Sequence, residues 1–251
     1  MTDEWIEQRH AALLRQRITG ATVLDVGCGQ GRLVSTLSCQ AAFVYGVEAH
    51  RPSIERAAAQ LASRQNVLLL LGTALDLPFD NASLDVVCCA EVLEHVPSPQ
   101  QLLAELYRVV RPGGCCTLST PNGWIQWWPH PYQLANLALR PRRTLLRMMP
   151  ERDWAGALPF HPATRPRIVR AWCERAGFRV RAHCYTLLNE WTRTRFRYRL
   201  FVALDRAGAN VLPVYQRMHV EAERAFARGS RLAPLLASRQ VLLLEKPEAS
   251  G

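Results

Sequence analysis

The 251 residues contain a single lysine, Lys246, beside 30 arginines, with no C-x-x-C pair, no internal repeat, no low-complexity tract and no run of 18 apolar residues. Each absence excludes something. Without a long apolar run no transmembrane helix is expected. The acidic, polar start MTDEWIEQRH predicts no secretory leader, so a cytoplasmic location is expected. The eight cysteines include the adjacent pairs Cys88/Cys89 and Cys115/Cys116, a spacing that suits neither a metal site nor a disulfide framework, and reduced packing residues are expected. Hydrophobic residues at 49% and charged residues at 21% describe a folded globular chain. The length suits one large α/β domain with insertions.

Charge is present but unevenly placed. Residues 1–120 hold 9 Arg against 12 acids, a balance of −3, whereas residues 121–251 hold 22 basic residues against 9 acids, +13. That asymmetry is consistent with an anionic partner such as RNA, a phosphorylated substrate, an acidic carrier protein or a membrane surface, and equally with a solvated arginine-rich face.

Hydrophobic patterning predicts alternating strands and helices. Strands are expected at 22–26 (TVLDV), 43–48 (FVYGVE), 66–71 (NVLLLL), 84–89 (LDVVCC) and 115–119, with helices at 32–38, 53–62 (opened by Pro52) and 100–110. A Pro-Gly turn is expected at 111–114. Such alternation predicts a parallel sheet with helices on both faces and right-handed crossovers. After Pro121 the pattern breaks. Residues 123–160, with Trp124, Trp127, Trp128, His130 and Tyr132 and the basic cluster RPRRTLLR, read as an inserted cap. A helix at 164–176, a stop at Gly177 and a strand at 178–187 follow, then a second insertion at 190–236 and a last strand at 240–245.

The segment VLDVGCGQG, Val23 to Gly31, carries the chemistry. An acid near the end of a strand and three glycines in the next turn let a ligand's polar groups approach bare backbone N–H donors. Arg32 stands where the dinucleotide fingerprint G-x-G-x-x-G has its third glycine, which disfavours hydride chemistry. Glu48 ends the second strand 17 residues beyond Gly31. Its carboxylate suits the two hydroxyls of an adenosine ribose; alone, it would equally be a solvated strand-end acid.

In their order and spacing, VLDVGCGQG, GVE, GTALDLPFDNASLDVV, AEVLEHV and RVVRPGG followed by LSTPN resemble the class I methyltransferases, in particular the small-molecule branch that includes the ubiquinone-pathway O-methyltransferases. The resemblance spans residues 21–122. It implies a Rossmann-like, doubly wound, mostly parallel seven-stranded sheet of order 3-2-1-4-5-7-6 with helical cap insertions. Residues 1–251 would form one methyltransferase domain, with 1–122 as its cofactor core. The implied cofactor is S-adenosylmethionine. Asp25, Gly27, Cys28, Gly29 and Gly31 would hold its methionine part, Glu48 and Ala49 its ribose, and Thr73, Ala74 and Leu75 would flank its adenine. Thr73 stands where the family usually has Asp, an uncharged substitute for the adenine amino contact.

Glu91 and His95 of AEVLEHV follow the fourth strand, at the carboxyl edge where ligands of open α/β sheets bind. Glu91 is expected against the cofactor. His95 is a candidate general base for an acceptor hydroxyl, the alternative being a histidine that packs the sheet edge. Glu91, Glu94 and His95 also resemble a divalent-metal site of the ubiquinone-pathway enzymes and of small-RNA 2'-O-methyltransferases. The cap aromatics suit an apolar or planar acceptor or a local hydrophobic core. His161 is a further candidate with no motif around it.

The leading expectation is methyl transfer from S-adenosylmethionine to a small-molecule acceptor, on a hydroxyl oxygen. An RNA methyltransferase of the 2'-O type is the runner-up, drawn from the +13 charge of the second half and from the ExxEH plus STPN combination that resembles that group. Against it, the sequence has no N-P-P-Y motif after the fourth strand, no Pro-Cys nucleophile and no visible RNA-binding module. A non-catalytic scaffold is a third reading, against which stand Asp25, the three glycines and Glu48. The basic amphipathic stretches 133–149 and 191–204 would allow peripheral contact with an anionic bilayer.

Overall fold

The computed structural model describes residues 2–122, 165–186 and 239–248. In chain order they form α1 (Thr2–Leu14), β1 (Thr22–Val26), α2 (Arg32–Leu37), β2 (Phe43–Glu48), α3 (Arg51–Leu61), β3 (Val67–Leu71), β4 (Leu84–Ala90), α4 (Pro99–Val109), β5 (Val110–Pro121), α5 (Pro166–Arg175), β6 (Arg179–Thr186) and β7 (Arg239–Glu245). Both expected insertions, with Trp124, Trp127, Trp128, His130, Tyr132, His161 and the stretches 133–149 and 191–204, lie outside the described residues.

The strands form one seven-stranded sheet ordered β3-β2-β1-β4-β5-β7-β6, the order expected. The first five strands pair in parallel, whereas β7 runs antiparallel between β5 and β6. The inner strands are continuous apolar runs because both faces are covered. One face packs Leu102, Leu103, Leu106 and Val109 of α4 and Val169, Trp172 and Cys173 of α5 over Leu24, Val87, Cys89, Leu118 and Leu242. The other packs Leu14 of α1, Leu33, Val34 and Leu37 of α2 and Leu61 of α3 over Val23, Val44, Val86 and Cys88. Among the described residues every cysteine is a free thiol, and no helix is long and apolar enough to cross a membrane.

Two departures from the sequence reading matter for the site. Helix α1 was not expected; it buries Ile6, His10 and Leu14, one side chain per turn. Strand β5 begins at Val110, so the expected turn at 111–114 is part of it. The reason is long-range pairing: Val110 lies opposite Leu84, the Gly113 amide donates to the Lys246 carbonyl at 2.9 Å, and the Lys246 amide donates to that of Gly114 at 3.0 Å. The connection between β3 and β4 contains no helix. That connection is pinned to α4 by Arg108. Its guanidinium donates to the carbonyls of Phe79 (2.7 Å) and Leu77 (2.9 Å) while gripping Glu105 with two nitrogens at 2.8 Å each.

Candidate active site

The site is built on the turn that leaves β1. Gly27, Gly29 and Gly31 all have positive φ (71°, 53° and 80°), so the chain reverses sharply before α2. The amides of Gly27 and Cys28 donate to the Val47 carbonyl at 2.8 and 3.1 Å, which hangs the turn on the end of β2. Gly31 sits behind it, against α3: a Cβ there would stand 2.7 Å from Leu61 Cδ1 and 3.1 Å from Ala57 Cβ. Around Gly29 nothing lies within 4 Å of such an atom. This glycine leaves open space beside bare backbone.

Glu48 braces the turn from the next strand. Its Oε2 accepts from the Gly29 amide at 2.9 Å and its Oε1 from the His50 amide at 2.8 Å. Each carboxylate oxygen has a second lone pair to offer a ligand.

A cavity of about 690 Å³ opens here. Of the residues singled out from the sequence, Asp25, Gly27, Cys28, Gly29 and Glu91 line it, and Glu48 borders it through Gly29. Ala49 follows at the end of β2, and Gly31, Thr73, Ala74, Leu75 and His95 lie outside the lining. The Thr73 hydroxyl accepts from the Leu75 amide at 3.2 Å, so it closes its own turn.

The lining is acidic. Asp25 is 2% exposed, and its carboxyl is pushed well above the usual carboxylate range, first by burial and then by the charges of Glu7 and Glu48. A cation entering the cavity relieves that repulsion. Burial also pushes up the thiol of Cys28, which leaves it unsuited to nucleophilic work.

At the end of β4, Glu91 adopts φ 57°, a conformation rare for a side chain of this size and found mostly at functional sites. Its Oε2 meets Arg239 Nε of β7 at 2.6 Å in a largely buried ion pair. Glu94 is buried instead on the α4 side. It accepts from the Thr120 hydroxyl at 2.9 Å, and burial, followed by the Glu91 charge, pushes its carboxyl up. His95 is exposed at the rim, with Nε2 3.9 Å from Glu94 Oε1. Of the three residues of the metal reading, Glu91 is engaged by Arg239, Glu94 by the Thr120 hydroxyl, and His95 lies 3.9 Å from Glu94. Among the described residues no three His, Cys, Asp or Glu side chains converge as a metal site.

Sequence reasoning missed Ile6 and Glu7 of α1, which line the cavity, and Arg239, which holds Glu91. A helical stripe Ile6, His10, Leu14 was the available signal for α1. None existed for Arg239.

An acid and a glycine turn at the end of β1, a second acid at the end of β2, and a 3-2-1-4-5-7-6 sheet with its seventh strand reversed define the Rossmann-like methyltransferases that use S-adenosylmethionine. Residues 24–118 match the family model described as "Methyltransferase domain". The chain is 34% identical over 179 residues to the ubiquinone biosynthesis O-methyltransferase of Pseudomonas putida strain GB-1, covering 70% of each protein. Solved structures share the fold. One is an S-adenosylmethionine-dependent methyltransferase from Mesorhizobium loti, with a TM-score of 0.64 at 14% identity, covering 97% of this chain and 99% of that one. Another is a Haloferax volcanii chain in a complex between the Trm112 methyltransferase activator and a methyltransferase, with a TM-score of 0.62 at 18% identity, covering 98% and 91%. The chain belongs to the class I S-adenosylmethionine-dependent methyltransferases. The acidic lining and the open space at Gly29 fit that cofactor's cationic, amino-acid-bearing end.

Proposed function

We propose that this methyltransferase acts on a small molecule and that the methylated atom is a hydroxyl oxygen. The observation that carries this reading is the 34% identity over 70% of each protein to an enzyme named for O-methylation in ubiquinone biosynthesis. In this proposal residues 1–122 form the cofactor core, and 123–160 and 190–236 cap the acceptor within one domain. Asp25, Gly27, Cys28, Gly29 and Gly31 hold the methionine part, Glu48 and Ala49 the ribose, and Thr73, Ala74 and Leu75 the adenine side.

The cofactor supplies a methyl group on a good leaving group, a sulfonium. The protein's task is then to align the acceptor oxygen and keep water away. The new bond joins the acceptor oxygen to the methyl carbon, the bond from sulfur to that carbon breaks, and the hydroxyl proton leaves. In this reading His95, exposed after β4, takes that proton, and Glu91 shapes the floor between cofactor and acceptor.

The test begins with titration of S-adenosylmethionine and S-adenosylhomocysteine into wild-type protein and the Asp25→Ala and Glu48→Ala variants. Micromolar binding that is lost in both variants is expected. Transfer of a labelled methyl group is then assayed on phenols, catechols and quinone precursors, with tRNA in parallel. Label on tRNA and on none of the small molecules would replace this reading with the RNA one.

A further inference from the structure

Helix α1 reaches the cofactor cavity in a way that the family assignment does not explain. Glu7 lines the cavity with its side chain 18% exposed, and Ile6 lies beside it. Glu7 and Asp25 line the same cavity, and of the charges acting on buried Asp25 that of Glu7 is the largest, ahead of Glu48. Arg32, at the start of α2, is the sole cationic residue in the lining among the described residues, with its Nη1 4.0 Å from Glu7 Oε1. Two carboxylates and one guanidinium, side by side, match the charges of a free α-amino acid.

What seats α1 there is equally specific. His10, one turn beyond Glu7, is completely buried, and its Nδ1 lies 2.7 Å from the Thr117 hydroxyl in the middle of β5. Burial holds this imidazole neutral, with a pKa lowered to about 4. A hydrogen bond between a neutral ring and a strand hydroxyl, both fully buried, fixes the depth and the rotation of the helix. With His10 on the sheet, helical geometry directs Glu7, three residues earlier, toward the cavity.

We infer that Glu7 is a further cofactor-recognition residue: seated by the His10–Thr117 bond, it joins Asp25 on the α-ammonium of S-adenosylmethionine while Arg32 takes the α-carboxylate. His10 and Thr117 act through Glu7 and are positioning residues. This inference rests on the cofactor assignment above. It adds a contact from outside the glycine turn, which any ligand lacking the amino-acid end forgoes.

The experiment is titration of three ligands, S-adenosylmethionine, S-adenosylhomocysteine and 5'-methylthioadenosine, into wild-type protein, Glu7→Gln, Thr117→Val and the double variant. 5'-Methylthioadenosine keeps the adenosine and thioether and has no amino-acid end. Glu7→Gln is expected to weaken the first two ligands about tenfold, the scale of one charge-assisted hydrogen bond, and to leave 5'-methylthioadenosine unchanged. Thr117→Val is expected to weaken S-adenosylmethionine several-fold alone and not at all once Gln occupies position 7. Unchanged affinities in Glu7→Gln, or an equal loss for 5'-methylthioadenosine, would overturn the inference. Additive losses in the double variant would overturn the positioning role. If wild-type protein binds no S-adenosylmethionine, the cofactor assignment itself fails, a result distinct from either of these.

Discussion

The Glu91 carboxylate and the Arg239 guanidinium meet at 2.6 Å, with 23% and 12% of their side chains exposed, and so tie the end of β4 to the start of β7 beside the cavity at the glycine turn. Removing one partner of such a pair leaves a desolvated charge without its counter-ion. Arg239→Met is therefore expected to cost about 3 kcal/mol of stability, and Arg239→Met with Glu91→Gln less than that. Urea unfolding of the two variants checks the order. Equal losses would show that the ion pair contributes nothing beyond packing.

Asp25 predicts an inverse dependence of stability on pH. Its folded-state pKa is raised by burial and by Glu7 and Glu48, so above the ordinary carboxylate pKa the unfolded chain gives up a proton that the folded, ligand-free protein keeps. Its contribution to stability then falls as pH rises. Asp25→Asn without ligand is expected to melt higher than wild type at pH 7, with the gap closing toward pH 4. The same variant should lose cofactor binding. A gap that widens on acidification would contradict the assignment.

Two glycines of one turn separate packing from binding. Gly31→Ala forces a Cβ against Leu61 at φ 80°, and about 2 kcal/mol or more of destabilisation is expected from clash and backbone strain together. Gly29→Ala meets no atom within 4 Å and is expected to cost about 1 kcal/mol. Its new methyl group projects into open space beside the cavity, so it should weaken S-adenosylmethionine disproportionately. Comparing melting temperature with cofactor affinity for each variant distinguishes the two effects.

Arg108 anchors the helix-free connection between β3 and β4. Lysine cannot reproduce a planar fork that reaches Leu77, Phe79 and Glu105 together, so Arg108→Lys is expected to cost about 1–2 kcal/mol. Amide hydrogen exchange should speed up over residues 76–82 while β1 and β4 stay protected. The Arg108 hydrogen bond holds the Glu105 carboxyl below its ordinary range. That contribution is present at neutral pH and disappears as pH falls through the folded-state pKa.

Much of this architecture was legible in the sequence because parallel strands buried on both faces leave unbroken apolar runs. VLDV, FVYGV and LDVVCC show it plainly, and the glycine spacing after Asp25 marks the turn. What stayed hidden depends on partners far along the chain. Helix α1 buries one side chain per turn, and one of the three is a histidine, so its apolar stripe is too thin to stand out. Strand β5 hides its start in a Pro-Gly sequence that reads locally as a turn, until Lys246 returns to bond Gly113 and Gly114. Glu91 was legible as a residue at the carboxyl edge of the sheet, whereas its guanidinium partner, at the start of β7, was not. The motif AEVLEHV suggested a set of ligands, yet folding turns Glu94 into the interior beneath Thr120 and leaves His95 outside.

The reversed strand also sets an order of assembly. β7 is the last described strand to leave the ribosome, yet it lies between β5 and β6. Until residues 239–245 emerge, β5 has a bare edge and β6 has nothing in the sheet to pair with. Arg239 arrives with that strand, so the glycine turn waits through most of translation for the residue that fixes Glu91. A nascent chain can therefore display the glycine turn long before Glu91 gains its counter-ion from β7.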